Sequence, residues 1–122
     1  MKFDPNATGT KDSGIFALPY TAEESQLVFI PVPWEVTTSF GHGTSMGPDA
    51  ILQASKQIDV ADGLFGDFYQ KGIYQLPTDP EIMSRSRLLK EKALHLRDLL
   101  ENGKEITGED ADIQSEINAA SA

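Results

Sequence analysis

An α/β fold built on a parallel sheet is predicted for this chain by three features. The first is "LVFIPV" at 27–32, a continuous apolar run that suits a strand covered on both faces. The second is Gly47-Pro48-Asp49, a helix opening that follows a long connection. The third is another helix opening, Thr78-Asp79-Pro80-Glu81, placed after a short strand expected near 72–76.

Each element follows from its residues. Residues 1–26 are polar and hold Pro5, Gly9, Gly14 and Pro19, so they are expected to form a surface-running arm. Phe3, Ile15, Phe16, Leu18 and Tyr20 are its apolar anchors. Residues 27–122 are expected to form the α/β domain itself. Within the first strand Pro31 cannot donate to a ladder, so the hydrogen bonding is expected to stop there. At the first helix, glycine is tolerated as the cap, proline suits the first helical position, and Asp49 favours the positive helix end. Ala50, Ile51, Ala54 and Ile58 then mark an apolar face on a helix over 48–57. "IDVADGLFGDFYQKGIYQLP" at 58–77 has no helical period and contains the short second strand. The second helix runs from Pro80 to a stop at Asn102-Gly103. Ile82, Leu89, Ala93, Leu96 and Leu100 line its apolar face, with Arg85, Lys92 and Arg97 off it. Thr107 or Asp110 is the expected cap of a third helix that carries Ile113 and Ile117 on one side. No Gly, Pro or basic residue closes that helix, which suggests a chain cut off at its C-terminus.

Composition narrows the function. A length of 122 residues allows one ordinary domain, and 39% hydrophobic content supports a modest core. The formal charge of −9 makes nucleic acid and anionic membrane surfaces poor partners, because like charges repel at long range. Nothing reaches the roughly eighteen apolar residues of a membrane span, and "MKFDPNATGT" lacks the apolar core of a secretory signal. The absence of Cys excludes disulfides and thiolate chemistry. A cytoplasmic protein fits these features.

The motifs that carry chemistry are few. Glycines at 41, 43 and 47 give G-x-G-x-x-x-G, which is not the dinucleotide fingerprint, and they start well past the strand. Gly47 is followed by Pro48 where a phosphate loop needs Lys, and Pro48 removes an N–H an anion would use. His42 and His95 are the only histidines. His95 reads as a surface or boundary residue of the second helix, and His42, between glycines, as a polar loop residue. "EDAD" at 109–112 reads as a solvated helix start. No metal-ligand spacing and no Ser/His/Asp constellation is legible.

What remains is the loop between the first strand and the first helix. Connections of this length inside a domain usually serve a purpose, and in open α/β sheets ligands bind beyond the carboxyl ends of strands. Trp34 and Phe40 would either wall a pocket or plug the local core. Glu35 would either attract a cation or stand in solvent. Thr37, Thr38 and Ser39 offer neutral hydrogen bonds.

Strand, Val32-Pro33, then "TTSFGHGTSMGPDAI" resembles the first strand, loop and helix of the ureohydrolases, the arginase/agmatinase superfamily. Gly47-Pro48-Asp49-Ala50-Ile51 matches that family's Gly-Pro-x-x-Ile helix start, with Leu52 where Arg often stands. "IDVADGLFGD" is similar to the segment that follows. The resemblance covers about 27–76. Pro31 departs from the family's Gly before Val-Pro, and the metal motifs Gly-Gly-Asp/Glu-His, Asp-Ala-His-x-Asp and Ser-x-Asp-x-Asp are absent. The resemblance therefore implies the N-terminal part of a three-layer αβα arginase-like fold, incomplete in this chain. It implies two Mn²⁺ in the full-length family, lowering the pKa of a bridging water that attacks a guanidinium carbon, and none bound by this chain alone.

The same resemblance implies a small cationic guanidino substrate. Agmatine comes first, with guanidine, guanidinobutyrate, arginine and formiminoglutamate as further candidates. Substrate-binding roles are expected for Trp34, Glu35, Thr37, Thr38 and Phe40, with no catalytic or metal residue in this chain. The family usually assembles as homo-trimers or hexamers. The rival expectation is a non-catalytic assembly or interaction module derived from the same opening segment.

Overall fold

The apolar run at 27–32 forms a strand, β1, over Leu27–Phe29, and it pairs in parallel with β2, Ile73–Gln75. The register sets Leu27 against Ile73, Val28 against Tyr74 and Phe29 against Gln75. This computed structural model describes residues 3–4, 7–61, 64 and 66–122. Asp62, Gly63 and Phe65 of the "IDVADGLFGD" segment, and Pro5 of the arm, lie outside the described residues.

The ladder is shorter than the apolar run and ends where the Leu76 N–H donates to the Phe29 carbonyl at 3.0 Å, two residues before Pro31. At its other end Gly72 sets the register, its carbonyl accepting from the N–H groups of Gln26 and Leu27 at 3.1 and 3.3 Å. Gly72 has φ +77°, and a Cβ there would sit 2.6 Å from the Glu24 carbonyl oxygen and 2.8 Å from the Ser25 Cα. Only glycine fits so close a backbone approach at positive φ.

The described residues divide into two compact units, Met1–Val32 with Met46–Thr78, and Pro33–Ser45 with Asp79–Ala122. In the first, Ile15, Leu18, Tyr69 and Ile73 form the buried core, with Phe3, Phe16, Tyr20, Leu52 and Val60 against it. All five apolar anchors of the N-terminal segment thus contribute to this core. Phe3 also meets Tyr69 ring to ring, with centroids 5.6 Å apart.

Helix α1 spans Gly47–Ser55, with Pro48 near its start and Asp49 in its first turn. Its packed face is not the expected one. Ile51 and Ile58 are exposed, as are Ala50 and Ala54, while Leu52 and Ser55 face the core. A hydrogen-bond requirement outweighs hydrophobicity here. The Ser55 hydroxyl accepts from the Phe16 N–H at 2.9 Å and donates to the Leu52 carbonyl at 2.8 Å. That acceptor helps hold Phe16, which adopts φ +56°, a conformation uncommon for a non-glycine residue.

In the second unit α2 runs over Pro80–Glu101 and α3 over Glu109–Ser121. The Asp79 carboxylate caps α2, accepting from the N–H groups of Glu81 and Ile82 at 2.8 and 3.4 Å. At the far end Gly103, at φ +70°, lets the chain turn, and the N–H of Lys104 donates to the Leu99 carbonyl. Gly108 occupies the cap of α3, and neither the Thr107 nor the Asp110 side chain caps that helix. The Asp110 carboxylate instead meets His95 at 2.9 Å. Val36, Leu89, Leu96 and Ile117 are the buried core, with Trp34, Ala93, Leu99, Ile106, Ile113 and Ala120 around it. Leu100, expected on this seam, is exposed, and Leu99 packs in its stead as the helix ends. Lys92 and Glu116 join the two helices at 2.6 Å. Among the described residues no helix is long and apolar enough to cross a membrane.

Candidate functional site

The loop that follows β1 in sequence is built into the second unit from one end. Pro33 is buried, Trp34 packs half-buried against the α2–α3 core, and Val36 enters that core directly. Glu35 lies between them and is buried, at 7% exposure. Its N–H donates to the Ser86 hydroxyl at 3.1 Å. One carboxylate oxygen pairs with the Lys90 ammonium. The other accepts from the backbone N–H of Gly43 at 3.0 Å and of Ser45 at 2.7 Å. Gly41 and Gly43, at φ +72° and +110°, allow the chain to double back so that both N–H groups reach one oxygen. Buried polar side-chain atoms without a partner are absent among the described residues.

These contacts decide where the expected site residues stand. Trp34 is anchored on the core. Glu35 spends its carboxylate inside the protein, and the cation it holds is Lys90. Phe40 projects fully into solvent at the loop's outer bend. Thr37 and Thr38, with Ser39 and His42, line a cavity of about 250 Å³ whose other walls come from α2, α3 and the connection between them. Leu96, Leu100, Ile106 and Ile117 make much of its surface apolar. The charged groups lining it are Lys90 and Arg97, and no carboxylate does. The charge at this cavity is therefore positive, and the loop's contribution to its lining is neutral hydroxyls and His42. The structure brings Thr37 and Thr38 together at this cavity. Trp34, Glu35 and Phe40 do not line it.

Ser86 and Lys90 escaped sequence reasoning. Ser86 sits on the α2 seam at the spacing of a core residue, between Ile82 and Leu89, but its polarity hid it; Lys90 reads as one more solvated cation. Neither has a local signal, because their partner lies 51 and 55 residues away. A larger hollow of about 720 Å³ in the first unit carries Asp12 and Asp49. Asp49 there accepts from the Thr78 hydroxyl at 2.9 Å.

No group of three or more His, Cys, Asp or Glu among the described residues is placed to hold an ion. The described residues do not by themselves fit a two-metal centre.

A family model for the arginase family matches residues 25–107, more than half of the chain. The chain belongs to the arginase family. The match reaches beyond the resemblance legible at 27–76 and takes in the whole of α2. It accords with the small parallel two-stranded sheet and the helices, an incomplete α/β arginase-like fold. Three curated relatives, from Synechocystis sp. and two strains of Thermus thermophilus, carry the name N(1)-aminopropylagmatine ureohydrolase. Those from Thermus thermophilus are each 35% identical over 95 residues, covering 73% of this chain and 30% of the relative. The one from Synechocystis sp. is 38% identical over 53 residues, covering 42% of this chain and 17% of the relative. The chain thus spans less than a third of the length of these relatives. No solved structure matches it significantly.

Proposed function

We propose that this chain is the N-terminal segment of a metal-dependent ureohydrolase that cleaves the guanidino C–N bond of an agmatine-type amine. It supplies the substrate-side loop, and residues outside these 122 supply the two Mn²⁺ sites. Membership of the arginase family over residues 25–107 carries this reading. The relatives' shared name adds N(1)-aminopropylagmatine to agmatine as a candidate substrate. A net charge of −9 suits a cationic substrate at long range.

Within the loop, the Thr37 and Thr38 hydroxyls are the proposed hydrogen-bonding groups for the guanidinium, and exposed Phe40 is the proposed apolar wall. Trp34 and Glu35 serve the same substrate from inside, by fixing the loop to its unit. A cytoplasmic setting and a trimeric or hexameric assembly belong to the same proposal.

Urea release tests it. The enzyme that contains this segment, assayed with Mn²⁺, should release urea from agmatine or N(1)-aminopropylagmatine. Thr37→Ala with Thr38→Ala should lower kcat/KM by about a hundredfold or more, the loss of two hydrogen bonds to a charged group. No urea from either substrate would end the reading, and an unchanged kcat/KM would remove the threonines from it. The 122-residue chain alone should give no two-site isotherm when titrated with Mn²⁺ by calorimetry.

A further inference from the structure

We propose that Glu35 and Lys90 form a latch that holds the loop over 36–45 in its folded shape, making both of them positioning residues. The geometry that points to this is concentrated in one carboxylate. The Glu35 carboxylate ties two places to the start of the loop: α2 through Lys90, and the loop's far end through the N–H groups of Gly43 and Ser45. The backbone N–H of Glu35 is meanwhile fixed to Ser86, one turn before Lys90 on the same helix. The loop is therefore pinned where it starts and where it ends, and both pins converge on one helical turn.

Beyond Val36, which sits in the core, the segment between the pins has little else to order it. Thr37, Ser39, Phe40, Gly41, His42, Gly43 and Thr44 are exposed. Thr38 makes one long hydrogen bond, 3.5 Å, back to the Glu35 carbonyl. Two of the glycines sit at positive φ, where backbone freedom is greatest. A segment with few apolar contacts and exposed backbone opens locally at low cost unless something specific prevents it. The carboxylate is that constraint. It must be an anion, because its two N–H partners and the ammonium all donate to it, and such hydrogen bonds are about twice as strong as neutral ones. It must also be paired, because a buried carboxylate without its cation is strongly unfavourable.

The consequence for chemistry rests on the proposed substrate role of the loop. If Thr37 and Thr38 contact the guanidinium, the latch sets their position without touching it. Lys90 then provides charge inside the fold, and the cationic substrate meets hydroxyls and not Glu35.

Amide hydrogen exchange measured by NMR on this chain tests the latch without requiring activity. In Lys90→Met and in Glu35→Gln, the amides of Gly43 and Ser45 should exchange at least tenfold faster, while those of Leu89 and Leu96 keep their protection. Lys90→Arg, which keeps the cation, should exchange as the unaltered chain does. Since Lys90→Met leaves a buried unpaired charge that can unfold the unit, the double variant Glu35→Leu with Lys90→Met, which also removes the acceptor that a Gln amide would keep, is measured beside it. It carries no buried charge, and it too should free Gly43 and Ser45 with the helix amides intact. Unchanged exchange at Gly43 and Ser45 in the double variant overturns the latch, as does an Arg variant as loose as the Met variant. Agmatine titrated into the unaltered chain separates the two ideas. Shifts at Thr37 and Thr38 that vanish in the double variant support both. Their absence, with exchange behaving as expected, removes only the substrate role.

Discussion

At the scale of single residues, the decisive positions are those where backbone geometry or buried charge leaves no choice. Gly72 is one. Its φ of +77° is a conformation L side chains rarely adopt, and a Cβ would meet Glu24 and Ser25 backbone atoms at 2.6 and 2.8 Å. Backbone cannot swing aside as a flexible side chain can. Gly72→Ala should therefore destabilise the first unit by about 1–3 kcal/mol for the strained dihedral alone, with more from the clash. Urea denaturation followed by circular dichroism measures it. A loss under half a kilocalorie would show that the β1–β2 register tolerates slippage there. Glu35 teaches a different lesson about legibility. The sequence shows a carboxylate in a long loop, and charge alone suggested an attraction for cations. What it cannot show is that the cation is Lys90, 55 residues away, and that two loop amides compete for the other oxygen. Long-range pairing is decided by the fold, and a single sequence carries no local mark of it.

Elements were legible where a local rule defines them and obscure where packing does. The Asp79-Pro80 start and Asn102-Gly103 stop of α2 are each local chemistry, a carboxylate cap and a glycine turn, and the helix lies within them. The second strand, expected near 72–76, is Ile73–Gln75. Faces were harder to read. On α1 the core-facing residues are Leu52 and Ser55, because the Phe16 N–H needs an acceptor, and a periodicity of hydrophobic residues cannot register that demand. The expected seam of α2 holds at Leu89, Ala93 and Leu96, while Ser86 was missing from it, Leu99 packs in place of Leu100, and Ile82 lies half-buried outside the cluster. Leu89 is the centre of that seam at 1% exposure, surrounded by Val36, Leu96 and Ile117. Truncation there leaves a cavity in a small core with little room to relax. Leu89→Ala should lower stability by about 2–5 kcal/mol, read as a fall in the thermal midpoint. A cost below about 1 kcal/mol would mean that α2 and α3 are not held by this cluster.

For the molecule as a whole, the informative feature is apolar surface that the two cores do not absorb. Parallel sheets are normally covered on both faces. Here, among the described residues, the sheet has two strands, and Leu27, Val28, Phe29, Ile30 and Val32 are all exposed. The continuous apolar run at 27–32 points to burial on both sides. Among the described residues that cover is not present, and the strand is exposed along its whole length. A strand with an unpaired edge and exposed aliphatic side chains is a template for association with another copy. The charge of −9 opposes such contact at low ionic strength, and salt screens that repulsion. Self-association should accordingly grow with protein concentration and with added salt. Sedimentation velocity should resolve larger species at high salt, and Ile30→Lys should suppress them. Ile30 is 73% exposed and lies past the last ladder residue, so the substitution leaves both cores untouched. A chain that stays monomeric at high salt and high concentration would show that this exposed strand surface is too small or too irregular to drive association.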